Sequence, residues 1–161
     1  MKIKDYKKNC NDNLRKCSLV FLRDGEKILL AMKKKGFGEG KYNGVGGKQE
    51  EGESIEQTAI RETQEELSVT PKDLKHMGIL NFYFPHKSEW DQQVWVYFVD
   101  IWDGEPIESE EMAPKWFHVD EIPFDCMWSD DIHWLPRALK DQRIESEFMF
   151  DKDNNILDMI L

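Results

Sequence analysis

Cysteine is scarce in this 161-residue chain. Cys10, Cys17 and Cys126 are odd in number and form no CxxC pair, which excludes a disulfide framework and a structural zinc site and fits a reducing cytoplasm. Long apolar runs are missing as well. No stretch approaches the ~20 residues of a membrane span, and the opening MKIKDYKKNCNDNLRK lacks a signal's apolar core, so neither a membrane protein nor an exported one is expected. Positive charge is in deficit. With 22 Lys and Arg against 32 Asp and Glu, the net −10 excludes a groove for duplex nucleic acid, whose affinity rests on neutralising phosphates. A free nucleotide escorted by a divalent cation is compatible with that balance. Repeats, low-complexity tracts and linkers are also absent.

What is present is enough apolar volume for one packed domain. Hydrophobic residues make up 40% and aromatics 12%, with six Trp and nine Phe. The scarce cations gather early: Lys2, Lys4, Lys7, Lys8, Arg15 and Lys16 face only Asp5 and Asp12 in the first sixteen residues. Residues 1–13 are therefore expected to be a mobile, basic, dispensable extension ahead of a domain over 14–161. CSLVFL and KILLAM flank Asp24-Gly25, a hairpin signal. The loop KKKGFGEGKYNGVGGK follows, with six glycines and five lysines in sixteen residues, able to bring amides and cations to phosphates. Ser54 and Gln57 make a capping box for a helix from about Ile55 to Leu67. GILNFYF and QVWVYFVDIW read as strands, WSDDIHWLPRALKDQ as a helix limited by Pro136, and EFMF with ILDMIL as a final hairpin.

At roughly 100° per residue, Glu62, Glu65 and Glu66 share one stripe that borders the apolar face of Ile55, Ala59, Ile60, Thr63 and Leu67. Like charges at such spacing destabilise a helix by roughly 0.2–0.5 kcal/mol per pair, so something cationic should compensate. Arg61 and Lys48 can do part of it. Clustered hard oxygens are also what Mg²⁺ or Mn²⁺ binds, although the spacing alone fits a solvated acidic face equally well.

The wider pattern decides between them. Gly47, Glu53, Arg61, Glu62, Glu65, Glu66 and Val69 stand in the register of G-x5-E-x7-R-E-U-x-E-E-x-G-U, and the chain resembles the Nudix hydrolases of the MutT type. Thr63 replaces an aliphatic residue and Ser68 a glycine. The resemblance implies an α/β fold, an α/β/α sandwich with a mixed central β-sheet, over residues 14–161. It implies Mg²⁺-dependent cleavage of a diphosphate (Mn²⁺ serving as well), with Glu62, Glu65 and Glu66 as catalytic metal-binding carboxylates and the Gly47 carbonyl as a further ligand. Arg61 and Glu53 complete the catalytic set in a structural capacity. Metal-assisted attack of water on phosphorus, with a glutamate accepting the proton, is the chemistry implied.

From Leu14 to Ile160 the likeness extends to the branch of this family that sanitises oxidised purine nucleotides. Here MKKKGFGEGKYNGVGGK, PIESEEMAPKWFHVDEIPFDCMWSDDIHWLP and the terminal ILD carry it. The resemblance implies a base pocket formed by Asn43, Trp128, Asp130 and Asp131, with Phe37, Phe82, Phe84, Met112 and Trp134 as walls. Lys33 is a candidate base or phosphate contact and Glu111 a candidate extra metal ligand. Two adjacent shielded aspartates cannot easily both ionise, so one can donate to a purine oxygen while its neighbour accepts. Tyr42, Val45 and the Pro85–Gln93 loop depart from the branch near the pocket. The expected function is hydrolysis of oxidised purine (deoxy)nucleoside triphosphates, 8-oxo-dGTP or 2-oxo-dATP, by a cytoplasmic monomer. The alternatives are another substrate, such as ADP-ribose or a triphosphate-ended RNA, and a catalytically silent nucleotide-binding module.

Overall fold

The computed structural model describes residues 1–9 and 14–161, beginning with a short helix, α1 (Ile3–Lys7). β1 (Arg15–Asp24) turns through Gly25, at φ 59°, into β2 (Lys27–Lys33), so the expected hairpin forms, with Asp24 itself paired to Lys27. The two strands soon part. Into the gap runs the glycine-rich loop: β3 (Tyr42–Asn43) pairs with the end of β2, while Val45 and Lys48 bridge to Val20 and Cys17 of β1. Then come α2 (Ile55–Leu67), β4 (Thr70–Pro71), β5 (Lys75–Tyr83), β6 (Gln92–Val99), β7 (Trp102–Asp103) and β8 (Met112–His118). α3 (Asp131–Ala138) and the hairpin of β9 (Ile144–Phe150) and β10 (Ile156–Ile160) complete the chain.

The main sheet has eight strands in the order β10-β9-β5-β6-β1-β2-β3, with β8 also paired to β2; β4 and β7 form a separate pair. β1–β6 and β5–β9 are parallel and the other pairings antiparallel, which is the mixed sheet expected. Alternation along β1 builds a core on each face. Val20 and Leu22 pack with Ala59 and Leu67 of α2, and Phe21 packs with Trp134 and Leu135 of α3. Each such burial contributes roughly 1.5–3 kcal/mol, and together they fix α2 and α3 on opposite sides of the sheet. Among the described residues no helix is long and apolar enough to cross a membrane.

Residues 1–9, expected to belong to a mobile extension, lie packed against the domain through α1. Ile3 is wholly buried against Tyr83 and Met149, and the Tyr6 ring meets Tyr83 edge-on at 5.8 Å. Lys7 pairs with Glu147 at 3.1 Å. Ile3 and Tyr6 lie one helical turn apart, so a small apolar stripe runs between the lysines and has a surface to cover. Charge counting hid that stripe. Residues 10–13, the remainder of the extension and Cys10 with it, lie outside the described residues.

Candidate active site

α2 begins at the expected capping box: Ser54 Oγ accepts from the Gln57 N–H and the Gln57 side chain accepts from the Ser54 N–H. Thr63 fits the apolar stripe because its hydroxyl, wholly buried, donates to the Ala59 carbonyl at 2.7 Å. The helix ends at Ser68, which adopts the left-handed conformation (φ 60°) that favours glycine. This frame fixes the glutamates.

Arg61 is the organising cation. Its guanidinium donates to both Glu53 oxygens (2.8 and 3.1 Å), to Glu62 at 2.9 Å, to Glu65 at 3.4 Å and to the Lys48 carbonyl at 3.1 Å. Glu53 also accepts from the Glu50 N–H and the Thr58 hydroxyl, and with Arg61 as the main cause its carboxyl is held at about 2. Arg61 thus joins the loop before α2 to the glutamate face. Glu66 lies deeper. Burial, reinforced by the charge of Glu62, pushes its carboxyl up to about 8, against one N–H donated by Gly46 at 3.1 Å. Burial likewise raises Glu62, with Arg61 opposing.

The glycines beside them are required by space. A Cβ on Gly46 would fall 1.9 Å from the Ser18 carbonyl oxygen, and one on Gly47 would fall 2.5 Å from the Glu62 carboxylate. The backbone of the loop therefore reaches the glutamates directly. The Gly47 carbonyl accepts from the Ser18 N–H and keeps a second lone pair.

Glu62, Glu65 and Glu66 open on a groove of about 260 Å³ whose other wall is Ser109, Glu110 and Glu111. As placed, no three His, Cys, Asp or Glu side chains among the described residues are gathered tightly enough to hold an ion, because Arg61 draws Glu62 and Glu65 to itself. The donor set still suits a hard divalent cation: it is mostly carboxylates, one of them raised by burial and then by its like-charged neighbour. Lys33, Lys34 and Lys35 pair with Glu111, Glu108 and Glu110 and fasten the glycine-rich loop to this far wall.

Beyond Gly46 and Gly47 lies a larger cavity of about 470 Å³. All ten residues assigned to the base pocket line it: Lys33, Phe37, Asn43, Phe82, Phe84, Met112, Trp128, Asp130, Asp131 and Trp134. Asp130 and Asp131 are each 2% exposed. Trp134 Nε1 donates to Asp130 at 2.8 Å, so this wholly buried tryptophan acts on the cavity through the aspartate. Among the described residues, Asp131 Oδ2 is buried without a hydrogen-bond partner. Burial first, and for Asp131 the neighbouring charge of Asp130, raise both carboxyls, so the pair holds a proton more readily than ordinary aspartates do.

Sequence reasoning missed several lining residues. Trp90, in a short turn of the Pro85–Gln93 loop, packs on Phe37 at 4.7 Å, and Phe150 closes the floor against Phe84 at 5.5 Å. Arg15 and Lys41 add cations, the Arg15 Nε being buried with no hydrogen-bond partner among the described residues and Lys41 lying over the Trp128 ring at 5.7 Å. The signal for Trp90 was a tryptophan in a loop near the pocket mouth. His76, His86, His118 and His133 line neither cavity nor groove.

A NUDIX domain family model matches residues 13–138. The chain is 43% identical over 141 residues to an oxidized purine nucleoside triphosphate hydrolase of Danio rerio, covering 88% of this chain and 90% of that protein. It is 41% identical over 140 residues to the protein of the same name in Mus musculus, covering 87% and 89%. Among solved structures, the MutT protein from Bacillus halodurans aligns with a TM-score of 0.79 at 25% identity, over 91% of this chain and 97% of that one. The fold, the box on α2 and these relatives agree: the chain belongs to the Nudix family.

Proposed function

We propose that this Nudix protein hydrolyses oxidised purine (deoxy)nucleoside triphosphates, 8-oxo-dGTP and 2-oxo-dATP among them, to the monophosphate and pyrophosphate. The observation that carries the proposal is the buried Asp130–Asp131 pair, with one oxygen unpartnered, at the end of an aromatic-walled cavity that opens beside the α2 glutamates. The names of the Danio rerio and Mus musculus relatives support it.

In this scheme the base lies against Trp128, with Asn43 and the aspartates along its polar edge. The protonated member of the pair donates to a purine oxygen while the other accepts from a ring or amino N–H; moving that proton lets one pocket take oxidised guanine or adenine. The phosphates run past Gly46 and Gly47 toward α2, with Arg15, Lys33 and Lys48 offsetting their charge. Glu62, Glu65 and Glu66, with the Gly47 carbonyl and Glu111, would hold Mg²⁺ or Mn²⁺, which when bound screens phosphate oxygens and acidifies water. One glutamate takes the proton of the water that attacks the β-phosphorus, and the bond to the nucleoside monophosphate breaks. The protein acts as a cytoplasmic monomer, consistent with Cys17 and Cys126 being free thiols.

A substrate panel with Mg²⁺, scored for monophosphate and pyrophosphate, tests this. The expected outcome is that oxidised purine triphosphates have the highest kcat/KM. Faster turnover of ADP-ribose or of a triphosphate-ended RNA would overturn it.

A further inference from the structure

The base pocket has a support that the chemistry above does not use. Tyr6 of α1 donates its hydroxyl to Asp91 Oδ2 at 2.8 Å, across 85 positions of sequence. The other oxygen, Asp91 Oδ1, accepts from the backbone N–H of Phe84 at 2.7 Å. Phe84 and Asp91 are the two ends of the loop between β5 and β6, so one carboxylate staples that loop shut. Asp91 itself is only 9% exposed.

What the staple holds is the cavity's aromatic wall. Trp90, next to Asp91, packs on Phe37 at 4.7 Å and on Phe84 at 5.9 Å, and all three line the cavity. α1 is in turn fastened independently of the pocket. Ile3 is buried on Tyr83 and Met149, the Ile3 N–H donates to Asp158 at 2.9 Å, and Lys7 reaches Glu147, which also accepts from Tyr83. An anchor on the sheet is therefore connected through the Tyr6 hydroxyl to the loop that shapes the pocket mouth.

We propose that α1 is a positioning element for the nucleotide base, with Tyr6 acting through Asp91 to hold Trp90 and Phe84 in place. The inference rests on the assignment of the large cavity as the base site. Charge-assisted hydrogen bonds of this kind are stronger than neutral ones and hold a side chain in one geometry, so losing the hydroxyl frees the loop without emptying the core. Tyr6 touches no glutamate of α2. Its loss should therefore weaken binding of the base and spare the chemical step.

Two variants test this in the full chain: Tyr6→Phe, which keeps the ring against Tyr83, and deletion of residues 1–9. Amide exchange of residues 84–91, measured without nucleotide, should speed up in both. KM for the best substrate of the panel above should rise about three- to tenfold in Tyr6→Phe, and more in the deletion, with kcat within about twofold. Unchanged exchange of 84–91 in both variants would overturn the proposal, as would faster exchange with KM unchanged, or a fall in kcat at constant KM. Because exchange needs no substrate and KM is taken on whichever nucleotide the wild type prefers, a wrong substrate assignment would show in the panel alone.

Discussion

On α2, Glu62 and Glu65 lie within reach of Arg61 and line an open groove, whereas at the head of α3 Asp130 and Asp131 are buried together against Trp134 and the closed end of an aromatic cavity. On α2, Arg61 and the open groove offset part of the cost of burial, which raises the Glu62 carboxyl and, deeper, lifts that of Glu66 to about 8. Among the described residues no cation forms an ion pair with the aspartates; Lys41 and His133 oppose only in part, and burial with mutual repulsion favours leaving a proton between them. Carboxylates thus serve two chemistries in one chain. Those of α2 present negative oxygen to a cation, and those of α3 present a donor beside an acceptor to a neutral heterocycle.

The largest effect expected from breaking this contrast is at α2. Glu65→Gln should lower kcat at least about tenfold, ~1.4 kcal/mol of transition-state stabilisation, in assays with Mg²⁺. Without divalent cation the variant should melt no lower than wild type, since one like charge has been removed; retention of more than a tenth of kcat would remove Glu65 from the metal site. Next comes the buried pair. Its carboxyls are raised above the ordinary 3.8, so their contribution to stability is fully present below that pH and is lost as pH rises through the raised values. Asp131→Asn should therefore gain melting temperature relative to wild type as pH rises from the ordinary 3.8 through about 6, the raised value of Asp130, and beyond. A difference that stays flat with pH would mean the pair does not share a proton.

How much of this was legible beforehand follows the same contrast. The glutamates, Arg61 and the capping box sit at helical spacing within one short segment, so local periodicity suffices to place them on one face. The two cores follow from alternation in β1. The large cavity, by contrast, gathers side chains from β2, the glycine-rich loop, β5 and the head of α3, and only the family resemblance brought those segments together. Neither route found Trp90, because its place depends on a loop stapled by Asp91, nor α1, because two apolar residues among lysines carry little signal until Tyr83 and Met149 are there to receive them.

The smallest effect concerns the second of the two box positions that depart from the family pattern. Ser68 holds φ 60° at the end of α2, away from both cavity and groove. Ser68→Gly should stabilise by ~1 kcal/mol, a rise of roughly 2–4 °C in Tm for a chain of this size, with kcat/KM unchanged. A change in activity at constant stability would show that this end of the helix takes part in the site.

The most direct test of the division between the two carboxylate clusters is the ratio of kcat/KM for 8-oxo-dGTP to that for dGTP, compared among the wild type, Glu65→Gln and Asp131→Asn. Glu65→Gln should lower both values together and leave the ratio standing, because the glutamates act on the phosphates common to the two substrates. Asp131→Asn should lower the value for 8-oxo-dGTP about tenfold and that for dGTP less, since an unsatisfied buried partner costs ~1–3 kcal/mol only where the oxidised base had been recognised. Equal losses on both substrates in Asp131→Asn, or a ratio that collapses in Glu65→Gln, would contradict it.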